Sequence, residues 1–385
     1  MDRFDRRVWV PVLLALILLL AGCQNGPAAE PTEEPPTATV MPSITPESDD
    51  VAFDLTTEAP TPPPSSEPSP ETAMPRATAT ASAASATRPA PVGPTPQALP
   101  ADRNSNIGPY LLSHPEAGQP THELLKNSRM RAYMAINPAH WTAADLLPHM
   151  EGYGRNWIPA EEELAYIADG AAGARAYYAR FEETYIATRE TIHAWMSTWA
   201  FEFGDREFAR SWVEFQREWL RLMHANGYRA GVGGFKTHRF GEGEILWLAP
   251  AIAAADYLFL SESGAPTIMD SVGRSTLLYR DLVAELEDAL ERVPEVILDI
   301  SVDGQVLAEL DRPGGPWWQR GYIQFETSKE DYMADVRAYD LATLEDPYVR
   351  HVFWFATNVT ADTHSFDVDT NMLAVADGWH AGEER

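Results

Sequence analysis

The sequence is poor in cysteine, in positive charge and in long apolar runs. Cys23 is the only cysteine, so no disulfide can form within the chain and a folded part must rely on its apolar core. Arg and Lys number 29 against 57 Asp and Glu, a formal net charge of −28 that makes nucleic acid and anionic lipid headgroups poor main partners. The apolar run from Val8 to Ala21 contains Pro11 and falls short of the roughly 20 residues that a transmembrane helix needs.

Two cofactor patterns are also missing. No Gly-rich phosphate loop follows an early strand pattern, because the glycines of residues 231–234 lie inside a strand pattern and lack the spacing of a dinucleotide site. The ten histidines include no HxH or HExxH pair, which disfavours a metal-dependent hydrolase. We therefore expect neither a cofactor nor a metal.

The N-terminus has the pattern of a secretion signal. Arg3, Arg6 and Arg7 precede the apolar run, which ends in Leu-Ala-Gly before Cys23. This ending is similar to a bacterial lipobox, in which the cysteine is lipidated and becomes the first residue. The alternative is a buried or free thiol, but Cys23 lies between the apolar run and a Pro/Thr-rich segment and so has no core in which to be buried. We predict a signal peptide over residues 1–22 and a membrane anchor at Cys23, on the periplasmic or cell-surface side.

The next segment has the composition of a stalk. Residues 24–100 hold 18 of the 31 prolines, with Thr, Ser, Ala and Glu filling most other positions. Such a segment cannot bury enough apolar surface to offset the entropy lost on ordering. Residues 23–100 are therefore predicted to be a lipidated cysteine followed by a disordered, extended linker.

Residues 101–385 have the composition of one large globular domain. They carry all the tryptophans except Trp9 and a net charge of −21. Short apolar runs alternate with amphipathic stretches, which predicts eight strands, at 107–112, 130–136, 154–159, 192–203, 229–235, 257–261, 296–302 and 349–357. Helices are predicted at 161–188, 206–226 (with Gly227 as C-cap), 277–292 and 329–344. This order predicts a (β/α)8 TIM barrel; an open doubly wound sheet is the alternative.

In a (β/α)8 barrel the functional groups lie at the carboxyl ends of the strands. Carboxylates lie near the ends of several predicted strands, and glycosidic bond cleavage uses two carboxyl groups, one to protonate the leaving oxygen and one to attack the sugar or activate water. Tryptophans near the same ends suit stacking against sugar rings. The polar candidates are Arg155, Asn156, Glu202, His238, Glu262, Asp299, Asp303, Asn358 and Asp362.

These strand ends resemble those of clan A (β/α)8 glycoside hydrolases over most of residues 105–370. The similar segments are residues 154–159, 195–202, 261–266, 296–304 and 365–368. The resemblance implies that Glu202, ending the fourth strand, is the acid/base and that Asp299, ending the seventh, is the nucleophile. Phe201 replaces the asparagine that precedes the clan's acid/base, and Asp299 is one methylene shorter than the clan's glutamate.

Two hypotheses follow for the function. The first is a membrane-tethered glycoside hydrolase with Glu202 and Asp299 as catalytic residues and a carbohydrate substrate. The second is a non-catalytic glycan- or solute-binding lipoprotein on the same scaffold. For substrate binding we predict Arg155, Trp157, Trp199, His238, Glu262, Trp318 and Trp354. His193 is predicted to be structural, and the sequence does not indicate an oligomeric state.

Overall fold

The structure is a computed structural model, and it describes residues 98–100, 102–138, 149–198, 205–304, 306, 321–357 and 366–383. The chain divides into two units, Met1–Thr80 and Ala81–Arg385, and every described residue belongs to the second. The signal peptide, Cys23 and most of the stalk lie outside the described residues and remain predictions. None of the helices in the described ranges is both long and apolar enough to cross a membrane.

The described strands close into a parallel barrel. They pair in chain order from β1 to β8, and β8 pairs with β1. The strands are β1 Ile107–Leu111, β2 Ala132–Ile136, β3 Glu151–Arg155, β4 Ile192–Met196, β5 Arg229–Lys236, β6 Tyr257–Gly264, β7 Glu295–Val302 and β8 Val349–Thr357. This topology confirms the predicted (β/α)8 barrel and excludes the open doubly wound sheet.

Helices surround the barrel. Those in the described ranges are α1 Pro120–Lys126, α2 Ala160–Ala168, α3 Gly170–Ala187, α4 Arg206–Ala225, α5 Ala249–Ile252, α6 Tyr279–Ala289, α7 Lys329–Leu344 and α8 Thr370–His380. Short 3₁₀ turns lie at Thr237–Arg239, Glu244–Leu248, Met269–Ser271 and Tyr322–Phe325.

Helix α4 shows how the local sequence specifies these elements. The Asp205 carboxylate caps its first turn by accepting a hydrogen bond from the Phe208 backbone N–H at 2.7 Å. Apolar residues at helical spacing, from Ala209 to Met223, form the face that packs on the barrel. The helix stops at Gly227, whose φ of 81° is the left-handed conformation that glycine adopts without strain. The predicted helix is confirmed; its C-cap is Asn226, one residue before the predicted Gly227.

The core has two apolar layers separated by the barrel wall. The inner layer fills the barrel, and the outer layer lies between the strands and the helices. Side chains alternate between the layers along each strand. On β7, Ile297 belongs to the inner layer and Leu298 to the outer one. Both faces of a strand are therefore apolar.

The third strand starts at Glu151, three residues before its predicted start at residue 154. Its sequence from Glu151 to Arg155 contains two glycines and carries little apolar signal. A Cβ at Gly154 would lie 2.8 Å from the Trp195 ring, so neighbouring strands fill this space with their own large side chains. The predicted range 154–159 begins too late because the apolar residues that follow the strand were taken as part of it.

Among the other boundaries that differ from prediction, two differ most. The helix predicted over residues 161–188 is divided into α2 and α3 at Asp169, and Gly170, the first residue of α3, has a φ of 52°. The fourth strand, predicted to extend to residue 203, ends at Met196, and residues 199–204 lie outside the described ranges.

Candidate active site

Polar side chains of three neighbouring strands meet inside the mouth of the barrel. Lys236 of β5 pairs in register with Ser261 of β6, and Ser261 pairs with Asp299 of β7. The alternation set by Phe259 and Ile297 turns Ser261 and Asp299 inward. The Ser261 hydroxyl donates a hydrogen bond to Asp299 Oδ2 at 3.2 Å. Asp299, which was predicted to be catalytic, therefore points into the barrel interior.

The surroundings of Asp299 favour its protonated form. Burial disfavours the charged carboxylate and raises its pKa to about 7, although the Ser261 hydrogen bond and the positive charges of Arg155 and Lys236 act in the opposite direction. The nearby Glu262 carboxylate adds a smaller upward effect. A carboxyl group with a pKa near neutrality can give or take a proton under physiological conditions.

Arg155, at the end of β3, is a fixed positive charge beside this carboxyl group. Its Nη2 donates to Glu163 Oε1 at 3.0 Å, and the side chains are 7% and 1% exposed. Burial opposes its charge, but the negative charge of Glu163 and the hydrogen bond to it outweigh that cost and raise the pKa of Arg155. Removing either partner of such a buried pair leaves an uncompensated charge. Arg155 therefore stays ionised.

Lys236 is a site residue that the sequence analysis missed. Its Nζ lies 3.6 Å from Oδ2 of Asp303, which follows β7, and both side chains are largely buried. It faces the interior because it pairs with Ser261 across a bulge between Gly233 and Phe235. A lysine ending an apolar strand was the available signal, but the bulge that turns it inward cannot be seen in the sequence.

A small cavity lies beside Asp299 in the described part of the barrel interior. Its volume is about 10 Å³, the size of one water molecule. Its lining residues are Tyr110, Met134, Met196, Phe259, Ile297, Leu298, Asp299 and Phe353. This cavity is too small for a sugar ring.

Trp157 presents an exposed aromatic face just after β3. Its side chain is 55% exposed. Its backbone N–H donates to Asn137 Oδ1 at 2.8 Å, and the Asn137 N–H donates to the Arg155 carbonyl at 2.8 Å. These bonds hold the ends of β2 and β3 together, so the indole lies at the same end of the barrel as Asp299.

Glu262 does not join this cluster, which corrects its predicted role in substrate binding. It follows Ser261 and points to the outer layer, where it accepts hydrogen bonds from the backbone N–H groups of Leu277 and Tyr279 at 2.6 and 2.9 Å. The Tyr339 hydroxyl donates to it at 2.6 Å. Burial raises the pKa of Glu262. Its contacts hold the connection between β6 and α6 in place.

Trp354 is also corrected. It lies on the outer side of β8, fully buried, where its Nε1–H donates to the Tyr332 hydroxyl at 2.8 Å and its ring stacks on Trp379 with centroids 6.4 Å apart. A sugar cannot reach it. His193, predicted to be structural, is buried, and its Nε2 lies 2.6 Å from the Tyr257 hydroxyl.

Of the remaining residues predicted to be catalytic or to bind substrate, the structure describes only one. His238 lies half-buried in the 3₁₀ turn that follows β5, and its role stays a prediction. Trp199, Glu202 and Trp318 lie outside the described residues, so no distance relates Glu202 to Asp299. Across the ranges that are described, no three His, Cys, Asp or Glu side chains converge as a set of metal ligands.

Comparison with known proteins gives likenesses to solved structures only. No family model and no curated protein matches the chain. An endo-β-1,3-glucanase (GH128, subgroup I) from Amycolatopsis mediterranei, in complex with laminaripentaose, is 12% identical, with a TM-score of 0.40 over 72% of this chain and 100% of that chain. A curdlan-specific exo-β-1,3-glucanase (GH128, subgroup III) from Blastomyces gilchristii is 10% identical, with a TM-score of 0.42 over 69% and 96%. An endo-β-N-acetylglucosaminidase from Cordyceps militaris is 8% identical, with a TM-score of 0.41 over 72% and 91%. The assignment of the barrel rests on the strand pairing described above.

Proposed function

We propose that this chain is a membrane-tethered glycoside hydrolase with Asp299 as one of its two catalytic carboxyl groups. The observation that carries the proposal is the placement of Asp299, which faces the barrel interior three residues before the carboxyl end of β7, with a pKa of about 7. Hydrolysis of a glycosidic bond needs one carboxyl group that can be protonated and one that can be ionised. Asp299 is suited to exchange a proton at neutral pH.

The second carboxyl group in this proposal is Glu202. It follows β4 by six residues, and β4 ends at the same mouth. In a retaining enzyme the two carboxyl groups would lie about 5 to 5.5 Å apart, and in an inverting enzyme about 6.5 to 9.5 Å apart. The shorter side chain of Asp299 widens the gap, which favours activation of a water molecule over direct attack on the sugar.

Aromatic residues would bind the sugar at the mouth. Trp157 presents an open indole face there, and Trp199 and Trp318 are the further candidates from the sequence. Arg155 would act by stabilising negative charge on Asp299, because Glu163 holds its guanidinium in place. We assign no substrate role to Glu262 or Trp354.

The lipid anchor completes the proposal. Cys23 ends an apolar run after three arginines and precedes the Pro-rich stalk, so a lipid there would hold the barrel on the extracytoplasmic side of a membrane. Cys23→Ser should release the protein from the membrane fraction into the soluble fraction. Continued membrane attachment of that variant, measured by fractionation with and without detergent, would refute the anchor.

The test of the activity is hydrolysis of a panel of α- and β-linked oligosaccharides by the full chain. Asp299→Asn and Glu202→Gln should each lower kcat by a factor on the order of 10² to 10⁴. Asp281→Asn is the matched control, because Asp281 lies exposed on α6. Turnover that neither site variant reduces would overturn the assignment of both residues.

The pH profile decides the role of Asp299. A general acid must be protonated, so kcat/KM would fall as the pH rises above about 7. A nucleophile or a base must be ionised, so kcat/KM would fall as the pH drops below that value. A profile that is flat around pH 7 in the wild type would remove Asp299 from the chemistry.

A glycan-binding protein without turnover is the second candidate. It is favoured by the hydroxyl groups near Asp299, since Ser263 Oγ and Ser301 Oγ lie 3.2 Å apart on the inward faces of β6 and β7. Together with Trp157, these groups provide hydrogen bonds and an aromatic face that could bind a glycan without hydrolysing it. Oligosaccharide binding by calorimetry, with no turnover and no loss of affinity in Asp299→Asn, would establish this reading.

A further inference from the structure

We propose that Asn137 is a positioning residue that fixes the backbone of Trp157 at the mouth of the barrel, so that the exposed indole is presented as a platform for a sugar ring. This inference rests on the proposed function, because it takes Trp157 as a residue that binds the carbohydrate. It adds a residue at the end of β2 that neither the sequence motifs nor the expected carboxylate pair includes.

Asn137 follows β2 directly and has an unusual backbone conformation. Its φ is 48°, in the left-handed region that few residues other than glycine adopt. Pro138 comes next in the chain, and a residue before proline favours an extended backbone. The conformation of Asn137 therefore costs free energy, which its contacts must offset.

Two hydrogen bonds hold Asn137 in this conformation, and both join it to the end of β3 and the residues that follow. Its backbone N–H donates to the Arg155 carbonyl at 2.8 Å, and its Oδ1 accepts from the Trp157 N–H at 2.8 Å. Glycine would adopt the same φ without strain, but it has no side-chain acceptor. The asparagine side chain therefore supplies the bond that reaches the Trp157 backbone.

The backbone on either side of Trp157 is held as well. The Tyr177 hydroxyl of α3 donates to the Ser197 carbonyl at 2.9 Å and lies 3.4 Å from the Asn156 carbonyl. Asn156 and Ile158 are only 2% and 4% exposed, whereas Trp157 between them is 55% exposed. An exposed indole on a backbone that is already fixed loses less conformational entropy when a ligand binds to it.

The arrangement suits a residue that binds the sugar without taking part in bond cleavage. An indole face provides apolar area against which a sugar ring can pack. Such packing is equally strong in the bound substrate and in the transition state, so its loss raises KM and leaves kcat unchanged. Asn137 would act on KM only through Trp157, because its side-chain oxygen is directed to the Trp157 backbone.

The first experiment measures amide hydrogen exchange of the full chain, resolved to single residues. Asn137→Gly should speed exchange of the Trp157 amide by about tenfold, the effect of losing one hydrogen bond. The thermal unfolding temperature should change little, because glycine relieves the backbone strain. Asn137→Asp keeps a side-chain acceptor and should keep the slow exchange. Asn127→Gly is the matched control: Asn127 caps α1 before β2, at the other end of the barrel, where its amide donates to the Glu123 carbonyl at 2.9 Å.

The second experiment measures hydrolysis of a panel of α- and β-linked oligosaccharides of glucose, xylose, mannose and N-acetylglucosamine. Asn137→Gly should raise KM by about two- to tenfold with kcat unchanged, and Trp157→Ala should raise it at least as much. In the Trp157→Ala background the effect of Asn137→Gly on KM should be lost. If the hydrolase proposal fails, the wild type shows no turnover, and the calorimetric affinity for the same panel takes the place of KM.

Three results would overturn the proposal. One is a Trp157 amide that exchanges at the same rate in the wild type and in Asn137→Gly. Another is additivity of Asn137→Gly and Trp157→Ala, which would mean that Asn137 affects the sugar by a separate route. The third is faster exchange in Asn137→Gly in a protein that binds no member of the panel, because the bond from Asn137 would then serve only the fold.

Discussion

Arg350 holds together a buried polar cluster near the amino ends of the strands. Its Nη2 and Nε donate to the two carboxylate oxygens of Glu151 at 2.6 and 3.1 Å, and the side chains are 5% and 4% exposed. The Tyr153 hydroxyl and His351 Nε2 contact the same carboxylate, each at 3.0 Å. The positive charge and the hydrogen bonds keep the pKa of Glu151 well below its usual range, although burial opposes this.

Removal of Arg350 should be costly because Glu151 cannot reach water. Arg350→Met leaves a buried carboxylate without the guanidinium charge, and such a change typically lowers the free energy of unfolding by about 3 to 5 kcal/mol. The matched control is Arg175→Met. Arg175 pairs with Glu218 at 3.0 Å but is 57% exposed, so its loss should cost about 1 kcal/mol at most.

Urea unfolding followed by tryptophan fluorescence measures both variants at pH 7.5. Adding Glu151→Gln to Arg350→Met should recover part of the lost stability, because the uncompensated charge is then absent. The reasoning would be refuted if Arg350→Met cost no more than Arg175→Met. The reasoning would also fail if adding Glu151→Gln to Arg350→Met lowered the stability further, by as much as Glu151→Gln lowers it in the wild type.

Three further predictions concern stability. Burial lowers the pKa of His351, so the unfolded chain binds more protons at this residue and its contribution to the free energy of unfolding should fall as the pH drops below 6.5. Urea titrations from pH 7.5 to 5.5 should show this as a difference between the wild type and His351→Gln, because Asp299, with its raised pKa, contributes with the opposite sign in both proteins. Ser328→Ala removes the N-cap of α7 and should cost about 1 kcal/mol in the same assay, whereas Ser328→Asp should retain most of the stability. Gly233→Ala would put a Cβ 1.9 Å from the Phe259 carbonyl oxygen and should cost about 3 kcal/mol or more, while Gly118→Ala, with a φ of 87° but no atom within 4 Å, should cost about 1 kcal/mol by thermal unfolding.

The strand and helix order was predictable because local periodicity reflects burial. Seven of the eight predicted strands start within two residues of the observed ones, and the eighth, β3, was displaced by three. Its glycines and Glu151 carry little apolar signal. The large residues that fill that space, such as Trp195, belong to another strand, and the sequence of β3 does not contain that information.

The sequence predicted which residues lie near the site, but not which face of its strand each side chain occupies. Asp299 and Glu262 both lie in the carboxyl halves of their strands and look equivalent in the sequence, yet one faces the interior and the other the helices. Alternation along a strand assigns faces only when one face is polar, whereas here both faces are apolar. The same ambiguity made the buried Trp354 look like an available sugar platform.

The sequence by itself determined the class of fold and the end of the barrel where polar groups gather, because both follow from the spacing of apolar residues along the chain. Only the tertiary structure decided which of those groups meet. The register of β5, β6 and β7, together with the bulge in β5, brings Lys236 and Ser261 to Asp299. Burial by residues distant in the sequence then raises the pKa of Asp299 to about 7, because the charged form loses its contact with water.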